Sequence, residues 1–576
     1  MKNRELADIF TEMASFVSLE ESENARFKTR AYQKVAGILD SLQEDIAEIY
    51  KKGGVKALME IPGIGKAIAE KIEEYLTTGK IAKYEEYKAK YPIDFKELTK
   101  IEGIGTKTAL SLYKELGIKN IADLKDAISR GEISKLPGFG EKSEELLDKG
   151  IKQLESSKGR LLLSEALPVA ESIVERLRKS GLAEKVEIAG SARRMRDTIG
   201  DIDILAIGTS SNEIMDLFTG LEDVERTVVK GPSKTTVYLK IGTTCDLRVI
   251  EPGSFGAAMQ YFTGSKDHNI QVRKVAINKG YKLNEYGLYD RAGNMVSGVG
   301  EQELYNKLGM DWIPPEMREN RGEIDLAMKH KLPNLIQYSS LKGDFHTHTK
   351  DTDGSNTLEE MVEYARKYGL EYIATTNHTK SLKVARGMDG ARFSEYFSKV
   401  DRLNEELGKD FHILKGAEVD ILKDGSLDLE NKTLGDMECV VASVHSNFNM
   451  TKDEMTKRVT TALDSGYVNI LGHPTGRLIN ERPPFQIDLE KVAESAESNK
   501  VVLEINAFPT RLDLKDTDIM LTSKFRVNYA IDSDAHNISH YSVLKYGIGT
   551  ARRGWLEPGR VVNTFHLDKA LRMFKK

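Results

Sequence analysis

Cysteine is nearly absent from this 576-residue chain, which carries only Cys245 and Cys439. Two thiols exclude a disulfide framework and a thiolate metal site. No apolar run approaches the ~18 residues of a membrane span, and the opening MKNRELADIF lacks the apolar core of a signal peptide. A reducing cytoplasm with no membrane association is the expected home. A dominant charge is missing too: 84 Lys and Arg against 89 Asp and Glu leave a net −5. That balance excludes a generally basic nucleic-acid coat, so any polyanion site must be local. Low-complexity sequence is lacking. What is present is an ordinary globular composition, 40% hydrophobic and 30% charged, at a length for about three to five domains.

Histidine is abundant in one place. Nine of the eleven lie in the last 231 residues. There, nine imidazoles and carboxylates sit at the ends of short apolar runs: His346 and His348 in DFHTHT, Asp353 in TDG, His378 in TNHT, Glu418 in GAEVD, His445 in SVHS, His473 in GHP, and Asp534 and His536 in DSDAH. These groups hold zinc, manganese or iron, and nine of them suffice for more than one ion. The two HTH imidazoles fall on one face of a strand end, within reach of the same ion.

Residues 1 to about 155 read as helical, with Leu6, Ile9, Phe10 and Met13 at helical spacing. One pattern occurs three times there: MEIPGIGKAIAEKI from Met59, TKIEGIGTKTALSL from Thr99 and SKLPGFGEKSEELL from Ser134. Each G-h-G turn (Gly63 and Gly65, Gly103 and Gly105, Gly138 and Gly140) lets one helix fold tightly onto the next. The second helix then offers its N-terminal amides to a phosphate oxygen. Such contacts position a duplex without reading its sequence. Residues 51–150 hold 19 Lys or Arg against 17 Asp or Glu, so binding rests on amides and a few lysines. The repeats resemble helix-hairpin-helix motifs, which grip the DNA backbone.

From about 156 the pattern turns to strands: KVEIAG, DIDILAIG, TTVYLKIG and CDLRVIE. Asp201 and Asp203 stand two apart on a strand and point to one face, and Asp246 opens another strand. Three carboxylates on adjacent strands can hold two magnesium or manganese ions about 3.5–4 Å apart. Gly190 and Ser191 in GSARR open a helix toward phosphates, with Arg193 or Arg194 adding charge. With YFTGSKDHNIQVRKVA from Tyr261, these motifs closely resemble the family X DNA polymerases, over roughly residues 1–317. The resemblance implies that Tyr261, Phe262 and Gly264 lie beside the incoming sugar, Asn269 at the base edge and Arg273 at the template strand. It places Lys71 where the family can carry a 5′-deoxyribose phosphate lyase nucleophile, although a DNA-backbone contact explains that lysine equally well.

After Lys342, strand-like runs alternate with helical segments, the rhythm of a parallel βα fold with its ligands at the C-terminal strand ends. The ligand order resembles the PHP (polymerase and histidinol phosphatase) domain, a distorted βα barrel holding three metals. That resemblance assigns His346, His348, Glu418 and Asp534 to one ion. Glu418 would bridge to a second held with His445 and His473, and Asp353, His378 and His536 would hold a third. Asp351 competes with Asp353, but the TDG match favours Asp353. Asn377 departs from the family's usual Asp and removes a charge near the metals. Arg477, four residues after His473, is a candidate phosphate contact.

The expected architecture is multidomain. An all-α lyase-like region with the first hairpin spans 1–90, and a fingers-like region with the other two spans 91–155. An α/β (α+β) nucleotidyltransferase palm at 156–252 and a thumb at 253–317 follow. A linker at 318–342 leads to the PHP barrel at 343–576. The expected function is gap-filling DNA repair synthesis from deoxynucleoside triphosphates on gapped or nicked duplex by a monomer. The barrel is expected to trim or process 3′ ends. A PHP phosphatase acting on a small phosphomonoester and a non-catalytic DNA-end scaffold are the alternatives.

Overall fold

Leu6, Phe10, Met13 and Val17 recur at helical spacing and are all fully buried, forming the stripe by which helix Lys2–Val17 packs on Glu23–Ser41. The computed structural model describes residues 2–20, 23–41, 45–61, 63–99, 101, 104–140, 143–148, 150–151 and 159–574. It divides into two units, Met1–Lys158 and Gly159–Lys576.

In the first unit, the ring of Phe16 stacks with Tyr87 and Tyr91 and meets Phe95 edge-on. The hairpin glycines act at the helix starts. Gly63 takes φ +100° and Gly138 φ +86°, the left-handed region that favours glycine. A Cβ on Gly63 would meet Ile38 at 2.6 Å. Gly65 and Gly105, both extended, cap helices Lys66–Thr78 and Thr106–Leu116. Gly103 lies outside the described residues.

The second unit opens with a five-stranded mixed sheet: β1 (Lys185–Ile188), β2 (Asp201–Ile207), β3 (Val224–Lys230), β4 (Lys234–Leu239) and β5 (Thr244–Val249), in the order β1-β2-β5-β4-β3. Helix Leu163–Lys179 buries Ala166, Ala170, Ile173 and Leu177 beside it. Strand β3 was not expected. VERTVVK is exposed along nearly its whole length, so no apolar alternation marks this edge strand. Helices Phe255–Thr263 and Lys266–Asn278 follow, with a small antiparallel sheet over residues 282–297.

Seven parallel strands then run in chain order: β6 (Gly343–Thr347), β7 (Tyr372–Thr375), β8 (His412–Asp420), β9 (Cys439–Ser443), β10 (Ile470–Leu471), β11 (Val502–Asn506) and β12 (Tyr529–Asp532). Strands β6, β7, β9 and β11 are buried on both faces, as a sheet wrapped in helices requires. Thr347 bridges Ala535, and the His348 amide donates to the Ala535 carbonyl at 2.8 Å. The sheet thereby nearly closes into the expected βα barrel.

The connecting stretch 318–342 is packed. Arg318 and Glu323 are fully buried, and Glu323 Oε1 lies 2.7 Å from Nδ1 of buried His268. A continuous apolar cluster runs from Leu163, Ile202 and Leu247 in the mixed-sheet region to Ile373, Val419 and Ile531 in the barrel.

Candidate active sites

On the mixed sheet, parallel pairing sets Asp203 directly opposite Asp246, with Asp201 two residues before Asp203 on the same strand. Burial, and then the carboxylates of Asp201 and Asp246, push the Asp203 carboxyl up to about 7. Asp246 accepts from Thr236 Oγ1 at 2.6 Å and pairs with Lys234 Nζ at 2.7 Å. The GS turn leans on this group. Gly190 has φ +63°, and a Cβ there would stand 2.3 Å from Asp203 Oδ2. Gly190→Ala is therefore expected to displace Asp203 and reduce nucleotide addition at least ~10-fold, on top of the strain of a left-handed alanine. Steady-state incorporation on a primer-template would measure it.

Tyr261 and Phe262 meet edge-on with centroids 5.0 Å apart, near the end of helix Phe255–Thr263. Asn269 is buried, accepts from Gln260 and donates from Nδ2 to the Tyr261 carbonyl at 2.7 Å. It therefore holds the Tyr-Phe segment from beneath. Exposed Arg273 lies over the Tyr261 ring at 5.9 Å. Arg193 donates to Thr263 Oγ1 and Glu301, and half-buried Arg194 donates to Glu319 and the Thr263 carbonyl. Both guanidiniums therefore fasten the turn to the segment that follows Tyr261 and Phe262. Lys71, on helix Lys66–Thr78, donates to the Ala67 carbonyl one turn back, at 3.3 Å.

At the barrel mouth all nine expected groups converge. His346 Nε2 and His348 Nε2 lie 3.6 and 3.3 Å from Asp534 Oδ1, and 3.4 and 3.6 Å from Glu418 Oε2. Glu418 also has His473 Nε2 at 2.9 Å, His445 Nε2 at 3.1 Å and His378 Nδ1 at 2.9 Å. Asp353 lies 3.2 Å from His378 Nε2 and 3.3 Å from His536 Nε2. Three ligand groups result: His346, His348 and Asp534; His378, Glu418 and His445; and His348, Asp353, His378 and His536. His378 and His348 each fall in two of these groups, whereas the resemblance made Glu418 the bridging group. Asp351 stays outside, accepting from Thr349.

Several features of this cluster fit divalent cations. His346 Nε2, both ring nitrogens of His348, His378 Nδ1 and His473 Nδ1 are buried without a hydrogen-bond partner, a costly state unless a cation accepts their lone pairs. The outward nitrogens of three rings are fixed: His346 Nδ1 by Glu504 at 2.6 Å, His445 Nδ1 by Asp420 at 2.7 Å, and His536 Nδ1 by the Asp534 carbonyl at 2.8 Å. Such bonds set the tautomer and aim the free nitrogen inward. Two ligands, His473 (φ 25°) and Asp534 (φ 53°), occupy strained backbone conformations, a strain that concentrates at functional sites. Burial would raise the Glu418 carboxyl, but His445, His378 and His346 hold it far below the usual range. Burial would lower His445, yet Glu418 and Asp420 lift it to about 10.

Sequence reading missed Glu504, Asp420 and Arg511. The signal for Glu504 is one acid inside the apolar strand VVLEINA, where an unpartnered charge would be too costly. Asp420 shares a strand face with Glu418, two residues away. Arg511 Nε reaches Asp534 Oδ2 at 3.6 Å and is the cation beside the cluster. The Arg477 guanidinium donates to the carbonyls of Arg511 and Leu512 and pairs with Asp197 at 3.2 Å, so it ties loop to loop. Asn377 accepts from Thr349 and Thr352 and donates to Thr349 Oγ1. It organises the loop that delivers Asp353, and its amide both accepts and donates there, where an ionised carboxylate would only accept.

A nucleotidyltransferase-type carboxylate sheet and a multi-ligand metal barrel in one folded unit define a polymerase-type protein with an attached metal-dependent phosphoesterase domain. Family models match as follows: DNA polymerase beta thumb over residues 258–319, helix-hairpin-helix domain over 1–81, SAM-like helix-hairpin-helix tandem over 95–153 and PHP domain over 344–507. The chain is 34% identical over 563 residues to the DNA polymerase/3′-5′ exonuclease PolX of Bacillus subtilis, covering 97% of each chain. It is 32% identical over 204 residues to a probable phosphatase of Thermoanaerobacter sp., covering 34% of this chain and 78% of that one. A solved ternary complex of Leishmania infantum polymerase beta matches at 25% identity over 39% of this chain and 97% of its own, with a TM-score of 0.26. The chain belongs to the family X DNA polymerases that carry a C-terminal PHP domain.

Proposed function

We propose that this protein is a DNA-directed DNA polymerase that fills short gaps during repair, and that its barrel removes nucleotides from 3′ ends. The observation that carries this reading is the pairing, in one folded unit, of a GS turn seated on Asp203 opposite Asp246 with eight clustered candidate ligands at the barrel mouth and His473 2.9 Å from Glu418 among them. Asp201, Asp203 and Asp246 would hold two magnesium or manganese ions, and the barrel cluster up to three ions of zinc, manganese or iron. Bound cations supply charge neutralisation at phosphate oxygens and a water of lowered pKa.

The chain's own residues do the rest. The Gly190 and Ser191 turn presents amides to the triphosphate. Tyr261 and Phe262, braced by Asn269, wall the sugar side. At the barrel, Glu504 and Asp420 orient His346 and His445, and Arg511 offers a cation to the scissile phosphate. The hairpin turns hold the duplex backbone without reading sequence. The partners are gapped or nicked duplex DNA and deoxynucleoside triphosphates, and the working unit is a monomer. Lys71, half-buried and bonded to its own helix, gives the lyase reading no support beyond the resemblance.

A 5′-labelled primer facing a short gap, incubated with magnesium or manganese, tests the proposal. Extension with nucleotides and shortening without them would support both sites. Shortening alone would remove the polymerase half, and no change under either metal would favour an end-binding scaffold or a small-molecule phosphatase.

A further inference from the structure

The barrel reaches the nucleotide turn directly. Helix Leu544–Arg553, which follows the last barrel strand, buries nearly its whole length and ends on Arg553, which is 3% exposed. Arg553 donates from one terminal nitrogen to the Arg194 carbonyl at 2.8 Å and to Glu319 Oε1 at 2.9 Å, and from the other to Asp516. Arg194 closes the GSAR turn, its amide bonding the Gly190 carbonyl at 3.3 Å. Its own guanidinium donates to Glu319 at 3.1 Å and to the Thr263 carbonyl at 2.5 Å. Thr263 ends the helix that carries Tyr261 and Phe262. One turn earlier, Gly549 lies so close to the neighbouring Met195 that a Cβ would stand 2.7–3.2 Å from its side chain.

The contacts run Arg553 to Arg194 to Thr263. They join the two walls of the nucleotide pocket, the phosphate turn and the Tyr-Phe segment, and anchor both to the barrel. A planar guanidinium held at once by three half-buried acceptors is tightly fixed in position. Catalysis is sensitive on that scale, since a displacement of about 1 Å far from the reacting atoms can cost ~10²-fold.

We propose that Arg553 is a positioning residue for nucleotide addition, so that the PHP barrel is a structural part of the polymerase as well as its nuclease. This rests on the polymerase reading above. The test uses the full-length protein with Arg553→Lys, which keeps the charge but cannot satisfy three acceptors in one plane. KM and kcat for the deoxynucleotide in single-nucleotide gap filling, the nucleotide's equilibrium Kd, and 3′ trimming are measured on one preparation. We expect KM and Kd to rise ~10-fold with kcat changed less than about threefold, and trimming to stay within about twofold. Unchanged KM and Kd would overturn the proposal. Parallel loss of both activities in folded protein would also overturn it, by making Arg553 a general support of the fold. Should Arg553→Lys fail to fold, Gly549→Ala decides in its place, because it keeps every charge and presses a methyl group onto Met195. The same split supports the proposal, and unchanged KM and Kd overturn it. A wild-type enzyme that extends no primer would fail the polymerase reading itself and leave a nuclease barrel whose trimming these variants do not alter.

Discussion

Glu418→Gln is expected to lower 3′ trimming by roughly 10³-fold or more, because it removes several kcal/mol of cation-dependent stabilisation, while primer extension continues. Glu418 is 1% exposed, and its two oxygens stand within 2.9–3.6 Å of nitrogens on five histidines. Among the described residues, no other group lies so close to as many of these histidines. Glutamine matches it in shape but carries no charge, and one of its two ends becomes a donor facing rings that must stay unprotonated to bind metal. The expected companion result is a loss of bound metal, read by inductively coupled plasma mass spectrometry on purified variant and wild type. Trimming that survives the substitution would move the nuclease out of the barrel.

Asp203→Asn is expected to act in the opposite sense, reducing nucleotide incorporation ~10³-fold or more and leaving trimming intact. It should also change stability. Burial, then Asp201 and Asp246, raise the Asp203 carboxyl to about 7, with Lys234 and Arg248 only partly offsetting them. The unfolded value is about 4. The folded protein therefore keeps a proton that the unfolded chain releases between about pH 4 and pH 7, and stability falls as pH rises through that window. Above pH 7 the penalty is complete. Asparagine carries no such penalty, so the metal-free variant should melt above the wild type at pH 8 and no higher than it at pH 4. Magnesium should narrow the gap at pH 8. Equal melting temperatures at pH 8 would mean that the sheet does not press these carboxylates together.

Features written locally in the chain were legible. The first G-h-G turn, the Asp-x-Asp pair and the nine converging candidate ligands each sit in a short motif, and strand ends in a parallel barrel converge by construction. Partners supplied from far away were not. His346 and Glu504 are 158 positions apart, and nothing near either residue announces the other. The acids beside the arginines were equally hidden: Glu301, Glu319 and Asp197 pair with Arg193, Arg194 and Arg477 from 108, 125 and 280 positions away. The stretch 318–342, proline-bearing and charged, reads as a connector, yet Arg318 is fully buried with Glu301 at 2.5 Å. The continuity between polymerase core and barrel is a tertiary fact that no window of sequence contains.

The central claim is that one chain carries two separable active sites. The most direct measurement incubates wild type, Asp203→Asn and Glu418→Gln with the same 5′-labelled gapped substrate, with and without deoxynucleotides, on one gel. The expected result is a crossed pattern: Asp203→Asn shortens the primer and never extends it, and Glu418→Gln extends it and never shortens it. A substitution that removes both activities together, or neither, from folded protein would contradict the account.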